Sequence, residues 1–278
     1  MTIREALRLA AARLEQAGVP DADVDAAYLL ASVLKEDTLA MRINGHRELA
    51  APQRAAFDAL CDRRAAREPL QYILGETEFM GLTFHVEPGV LIPRADTEIL
   101  VEKALAWMKP GARVLDIGTG SGAIAVSLAK LGRQAQVTAV DVSDRALEIA
   151  RRNAERNGAA VEFVKSDCFS ALKGRKYDMI VSNPPYISED EMRGLMPEVT
   201  REPELALFGG ADGLDFYRRI SREAPEYLNE GGCLLFEIGW LQKDAVSALV
   251  KVHIGEPFAL RDYGQNWRVV GAKKEGAC

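Results

Sequence analysis

Histidine and cysteine are scarce in this chain, and the few present are scattered. His46, His85 and His253 stand apart, and Cys61, Cys168, Cys233 and Cys278 form no C-x-x-C pair. A disulfide framework or a metal site needs such side chains at set spacings, so neither is expected and the thiols read as core residues. Long apolar runs are missing as well. None approaches the ~20 residues that a membrane-spanning helix requires, and the opening MTIREALRLAAARLEQ carries charges throughout, unlike a secretory leader. The expectation is a cytoplasmic protein without membrane association. Nor is there an excess of basic residues: the net charge is −6 and the pI about 5.3. Phosphate contacts need a basic footprint, so direct binding of nucleic acid is not expected. Arg63-Arg64, Arg151-Arg152 and Arg218-Arg219 read as solvated helix faces. No repeat or low-complexity segment interrupts the chain, and 278 residues with 48% hydrophobic content suffice for one large or two modest domains.

What the chain does contain is concentrated in two runs. Tyr177 to Tyr186 reads YDMIVSNPPY, an apolar strand that ends in Asn183-Pro184-Pro185-Tyr186. Proline has no N–H to donate and a fixed φ, so the pair cannot continue the strand. Asn183 is left at the mouth of the sheet with its amide and the Pro184 carbonyl free to face a ligand. Two acceptors aimed at one NH2 group suit a substrate amine or amide whose nitrogen is to receive something. A turn whose Asn caps a loop uses the same residues, so the tetrapeptide alone leaves both uses open.

The second run, Arg113 to Lys130, is a short strand to Asp116, then Gly118, Thr119, Gly120, Ser121 and Gly122, then an apolar helical pattern. This order brings backbone close to a ligand at a helix N-terminus. A second strand ends at Asp141, about 20 residues further on, where an acidic side chain meets ribose hydroxyls in a βαβ nucleoside site. The loop also fits G-x-G-x-x-G/A, so a nicotinamide enzyme remains an alternative at this point.

Asp116 with alternate glycines, the acidic end of the second strand, Ser166-Asp167 after a third strand and Asn-Pro-Pro-Tyr after a fourth together resemble the class I S-adenosylmethionine-dependent methyltransferases that act on amide or planar nitrogens. The resemblance implies a Rossmann-like α/β fold with a doubly wound sheet. It implies that the glycine loop passes the methionine part of the cofactor, Asp141 takes the ribose, Asp167 lies near the adenine amino group, and Asn183 faces the methyl donor.

Thr2 to about Leu74 is helical in pattern throughout, Phe79 to Ile92 alternates around turn residues Gly81 and Pro88-Gly89 and reads as a β-hairpin, and strands and helices alternate from about Thr97. Three segments are expected: a helical domain at 1–75 that docks the substrate, a hairpin linker at 76–96, and a catalytic domain at 97–278. Ser188 to Gly213 is a long irregular stretch, and such a loop beside a site is usually functional.

Four runs then narrow the resemblance: Arg67 to Gly75 (REPLQYILG), Gly89 to Glu98 (GVLIPRADTE), Asn183 to Ile187 (NPPYI) and Gly209 to Asp215 (GGADGLD). They resemble the PrmC/HemK family over nearly the whole chain. That family comprises the glutamine N5-methyltransferases of peptide chain release factors. The acceptor implied is the side-chain amide of the glutamine in a Gly-Gly-Gln motif, with modulation of translation termination as the consequence, and S-adenosyl-L-homocysteine as the coproduct. Some relatives carry a bulky aromatic after Ser-Asp, where this chain has Cys168 and then Phe169, so Cys168 is expected at the cofactor with its contact, by side chain or by backbone, left open. Methylation of a ribosomal-protein glutamine or of adenine N6 in DNA is the alternative for the same catalytic motif.

A carboxamide nitrogen is a poor nucleophile, and no histidine lies in any motif, so rate must come from position. Asn183 and Pro184 are expected to orient the acceptor nitrogen, and Pro185 and Tyr186 to wall its slot. Arg94 and Glu98 either orient the acceptor loop or pair with each other, and Glu237 and Gln242 read as structural.

Overall fold

The computed structural model describes residues 1–274, so Cys278, read above as a core thiol, lies outside the described residues. The chain divides into two compact units. The first comprises Met1–Glu76 together with Met196–Arg201, and the second comprises Thr77–Leu195 and the residues from Glu202 onward.

The first unit is helical: α1 (Ile3–Gln16), α2 (Ala22–Leu34), α3 (Thr38–Ile43), α4 (Ala51–Ala65) and α5 (Leu70–Leu74). Helix α1 opens with a reciprocal cap in which the Glu5 amide donates to Thr2 Oγ1 and the Thr2 amide to Glu5 Oε2. Ile3, Leu14, Leu29, Leu30, Met41 and Phe57 form its core. Arg64 is buried here, with Nε 2.6 Å from Asp25 Oδ2 and Nη1 2.9 Å from Glu198 Oε1. Arg67 grips the same Glu198 through two bonds of 2.6 Å. The six residues 196–201 thus belong to the helical unit through a buried ion cluster, which sequence periodicity does not reveal.

The second unit begins with a two-stranded sheet, β1 (Glu76–Phe79) and β2 (Leu82–His85). The expected hairpin therefore sits upstream of its predicted place. The strands turn at Met80-Gly81, both with positive φ (52° and 69°), and Pro88-Gly89 falls in the loop that follows. Then come α6 (Glu98–Trp107), β3 (Arg113–Ile117), α7 (Ala123–Leu131), β4 (Gln136–Asp141), α8 (Asp144–Asn157), β5 (Val161–Lys165) and β6 (Tyr177–Ser182). A short α9 (Glu189–Met192), α10 (Asp215–Tyr227), β7 (Leu228–Glu237), α11 (Lys243–His253), β8 (Phe258–Arg261) and β9 (Trp267–Lys273) complete it.

The main sheet has seven strands in the order β5-β4-β3-β6-β7-β9-β8, with β9 antiparallel to both neighbours and β3 to β7 parallel. Side chains alternate between two cores, as the pleat requires. Val114, Val137, Met179 and Val181 face one of them with α6 and α7. Leu115, Val140, Ile180 and Phe236 face the other with α10 and α11. The chain leaves β3 for β4 and β5, then returns to β6 on the other side of β3. The carboxyl ends of β3 and β6 thus flank the reversal point where doubly wound sheets bind ligands.

Candidate active site

A cavity opens at that point, the place where doubly wound sheets bind their ligands. Its lining comes from the ends of successive strands: Ile117, Gly118 and Gly120 after β3, Asp141 from β4, Ser166, Asp167 and Cys168 after β5, and Ser182, Asn183, Pro184 and Pro185 after β6. All of these lie in the second unit.

The glycine loop divides by role. A Cβ added to Gly118 (φ +75°) or Gly120 (φ +55°) would meet no atom within 4 Å, so both present bare backbone to open space. A Cβ at Gly122 would lie 3.0 Å from the Ala150 Cβ, so this glycine serves the close approach of α7 to α8. Thr119 and Ser121 also face inward. The Thr119 hydroxyl donates to Asp116 Oδ2 at 2.7 Å, and the Ser121 carbonyl accepts from Asn153 Nδ2 at 2.8 Å. Of the five loop residues expected at the cofactor, only Gly118 and Gly120 line the cavity. Alternation of exposed and inward positions across the turn separates them from the other three.

Asp141 Oδ2 accepts from the Gly120 amide and Oδ1 from the Ser143 amide, each at 2.9 Å, and burial raises its pKa. Asp116 is fully buried, which pushes its carboxyl up to about 7, and its Oδ1 has no hydrogen-bond partner among the described residues. Asp167 Oδ1 receives Arg219 Nη1 at 2.6 Å, fixing the rim of the cavity. Cys168 is buried with φ +49°, and its carbonyl accepts from Ser166 Oγ. Phe169 turns into the core, stacked on Tyr227 at 4.4 Å.

The group at the centre of the site is Asn183. Its Nδ2 donates to Thr97 Oγ1 at 3.3 Å, and the buried Glu237 carboxyl, whose pKa it helps to lower, lies close by. Behind it, the glycine-rich run explains itself. A Cβ at Gly209 would lie 2.6 Å from the Pro185 carbonyl, and one at Gly213 would lie 2.3 Å from that of Tyr186. Only glycine lets this strip pack flat on the Pro-Pro-Tyr backbone. Gln242 Nε2 donates to the Tyr186 carbonyl at 2.9 Å, bracing the turn from the far side. Tyr186 itself packs against the core and is not among the cavity residues, so it walls nothing there. Burial pushes its phenol up to about 12.

Arg94 and Glu98 do not pair with each other. Arg94 pairs with Glu202, and Glu98 accepts from the Met80 amide at 2.6 Å. Glu202 also accepts from the Ile92 amide at 2.9 Å, tying the segment beyond β2 to the one before α10. Those two segments bring Val90, Leu91, Pro203, Leu205 and Ala206 to the cavity. None of the five is among the site residues read from the sequence, although Val90 and Leu91 stand in the GVLIPRADTE run and the other three in the irregular stretch from Ser188 to Gly213. Among the described residues no group of His, Cys, Asp or Glu could hold a metal, and no helix is long and apolar enough to cross a membrane.

Solved structures place the architecture. A methyltransferase from Pyrococcus furiosus gives a TM-score of 0.56 at 24% identity, covering 71% of this chain and 91% of that one. A Thermus thermophilus 16S rRNA N2 G1207 methyltransferase in complex with AdoMet and guanosine gives 0.53 at 21%, covering 72% and 50%. The fold is that of the class I methyltransferases. The sequence profile of the methyltransferase small domain matches residues 82–201, and that of the PrmC N-terminal domain matches residues 5–75. The release factor glutamine methyltransferase of Geobacter sulfurreducens is 46% identical, covering 98% of this chain and 96% of that protein, and the one from Cereibacter sphaeroides is 43% identical over the full length of both. This chain belongs to the release factor glutamine methyltransferase family.

Proposed function

We infer that the protein methylates the side-chain amide nitrogen (N5) of the glutamine in the Gly-Gly-Gln motif of peptide chain release factors, in the cytoplasm, and so modulates translation termination. The observation that carries this reading is the Asn183 carboxamide, whose N–H groups point at Thr97 and Glu237 and whose oxygen remains for an incoming amide. S-adenosylmethionine, when bound, supplies an electrophilic methyl group and leaves as S-adenosyl-L-homocysteine. The residues present fit it: two glycines with open space before their backbone, a largely apolar cavity at the ends of the parallel strands, and the carboxylates of Asp141 and Asp167 along its lining. Gly118, Gly120, Asp141, Asp167 and Cys168 would hold it.

Asn183 Oδ1 and the Pro184 carbonyl each accept one N–H of the acceptor amide and turn its lone pair toward the donor. No side chain needs to take a proton before transfer: the N–C bond forms as the S–C bond of the donor breaks, and the nitrogen, acidified by its new bond, then releases one N–H proton to water. Alignment of this kind supplies up to ~7–11 kcal/mol through effective molarity. Incubation with labelled methyl donor, purified release factor, ribosomal proteins and duplex DNA tests the assignment. Label is expected on the Gly-Gly-Gln peptide, and label on ribosomal protein or DNA instead would refute it.

Asp141→Ala should weaken S-adenosylmethionine binding by about 1–3 kcal/mol, the scale for hydrogen bonds to a charged group. Calorimetry checks this, and unchanged affinity would remove Asp141 from the cofactor site.

The helical unit contributes no residue to the cavity, yet a folded protein acceptor needs roughly 800 Å² of surface on each partner. We assign it the docking of the release factor. Leu39 and Ile43, four residues apart on α3, are 67% and 71% exposed, and share a face of the helix. Replacing both with glutamate is expected to raise KM for intact release factor several-fold, as rim contacts of this kind do, and to leave turnover of a short Gly-Gly-Gln peptide alone. Equal effects on protein and peptide would move the docking surface elsewhere.

A further inference from the structure

Glu237 ends β7, and the register that pairs Ser182 with Phe236 sets it beside Asn183. It is 1% exposed, and its Oε2 has no hydrogen-bond partner among the described residues. Thr97 and Asn183 lie near enough to its carboxylate to lower its pKa, and Asn183 Nδ2 lies 3.3 Å from Thr97 Oγ1. Arg268 and Asp96 are the other charges that act on it.

A carboxamide has two N–H donors and one oxygen. Here both donors face acceptors, a hydroxyl and a carboxylate. Rotating the amide by half a turn would set its oxygen against a carboxylate and its NH2 against the NH2 of the substrate, which are two repulsive contacts. We propose that Glu237, with Thr97, is a positioning residue that locks the Asn183 carboxamide in the one orientation whose oxygen faces the acceptor nitrogen. This rests on Asn183 being the group that binds the acceptor amide.

Burial explains why the arrangement calls for a reason beyond stability. It pushes the Glu237 carboxyl up to about 7, although the donors and Arg268 pull it down. An uncharged side chain of the same shape would sit there at lower cost.

Glu237→Gln tests the proposal. Glutamine keeps the shape but can present either N–H or oxygen to Asn183, so the lock is lost. With release factor and S-adenosylmethionine, kcat is expected to fall about 10²-fold, the scale for a misplaced reacting group, while cofactor affinity by calorimetry stays near wild type. The melting temperature should be equal or higher, which separates this loss from unfolding. Thr97→Val should lower kcat in the same way and Thr97→Ser should restore it, so the pair decides even if the Glu237 variant fails to fold. Asn183→Ala is run beside them. If it is inactive while Glu237→Gln and Thr97→Val turn over normally, the lock is refuted and the role of Asn183 stands. If Asn183→Ala is itself active, the role of Asn183 falls and the lock with it. A Glu237→Gln variant that loses cofactor affinity with kcat unchanged would assign Glu237 to the cofactor and overturn the proposal.

Discussion

Replacing Asn183 with alanine is expected to abolish methyl transfer, with a loss in kcat of at least ~10²–10³-fold, the effect of deleting one preorganised polar group at a reacting centre. Cofactor affinity should fall much less, because Gly118, Gly120 and Asp141 reach the cavity from other strands. Asn183→Asp is the sharper variant. It keeps an acceptor but removes both N–H groups that Thr97 and Glu237 receive, and it sets a second carboxylate beside Glu237. One of the two would then hold a proton. Single-turnover assays with saturating cofactor distinguish these outcomes, and wild-type rates in either variant would remove Asn183 from the reaction.

Arg64→Ala should destabilise the helical unit by about 3–5 kcal/mol, the cost of leaving the buried Asp25 carboxylate without its cation. Asp25 and Glu198 would both lose a charged partner. The neighbouring Arg63 pairs with Glu68 at the surface, and Arg63→Ala should cost only about 0–1 kcal/mol. Guanidinium melts of the two variants make the comparison. Acid should expose the same cluster. Burial raises the Glu198 pKa, but hydrogen bonds from Arg67 and Arg64 outweigh it and lower the carboxyl from 4.5 to about 2. A carboxylate bound less tightly to its proton when folded stabilises fully above its unfolded pKa. That contribution is therefore present above about pH 4.5 and is lost as the pH falls toward 2. Asp25 runs the other way, since burial raises its pKa. The wild type should lose stability between those values, and Arg64→Ala should lose less.

The parts of this protein that were legible in its sequence are those whose physics is local. Asn-Pro-Pro must end a strand wherever it stands, and alternate glycines after an apolar run must make a tight turn before a helix. The doubly wound sheet followed from the alternation of strand and helix patterns. The hairpin turns at Gly81, one of its two expected turns, but ends at His85, because the second signal, Pro88-Gly89, falls in the loop beyond it. Within the site, the failures are choices of partner. Arg94 chose Glu202 over Glu98, 108 residues away in sequence rather than four. Thr97 reaches Asn183 across 86 residues. The run Gly89 to Glu98 is recognisable as a pattern, yet its purpose shows only when the fold sets it against β6, the segment before α10, and Arg268, which lies 3.0 Å from Asp96. Likewise, Tyr186 belongs to a motif by spelling but to the core by position.

The membership of residues 196–201 in the helical unit has a consequence for synthesis. Glu198 follows Glu76 by about 120 residues, which at roughly 5–20 residues per second means ~6–24 s of translation. The five helices are complete long before that, with Arg64 sealed against Asp25 alone. Four strands of the main sheet, β3 to β6, leave the ribosome before the missing carboxylate does. The helical unit is therefore complete in sequence only after four strands of the sheet have been synthesised, and until then the carboxylate that Arg64 and Arg67 share is missing from it.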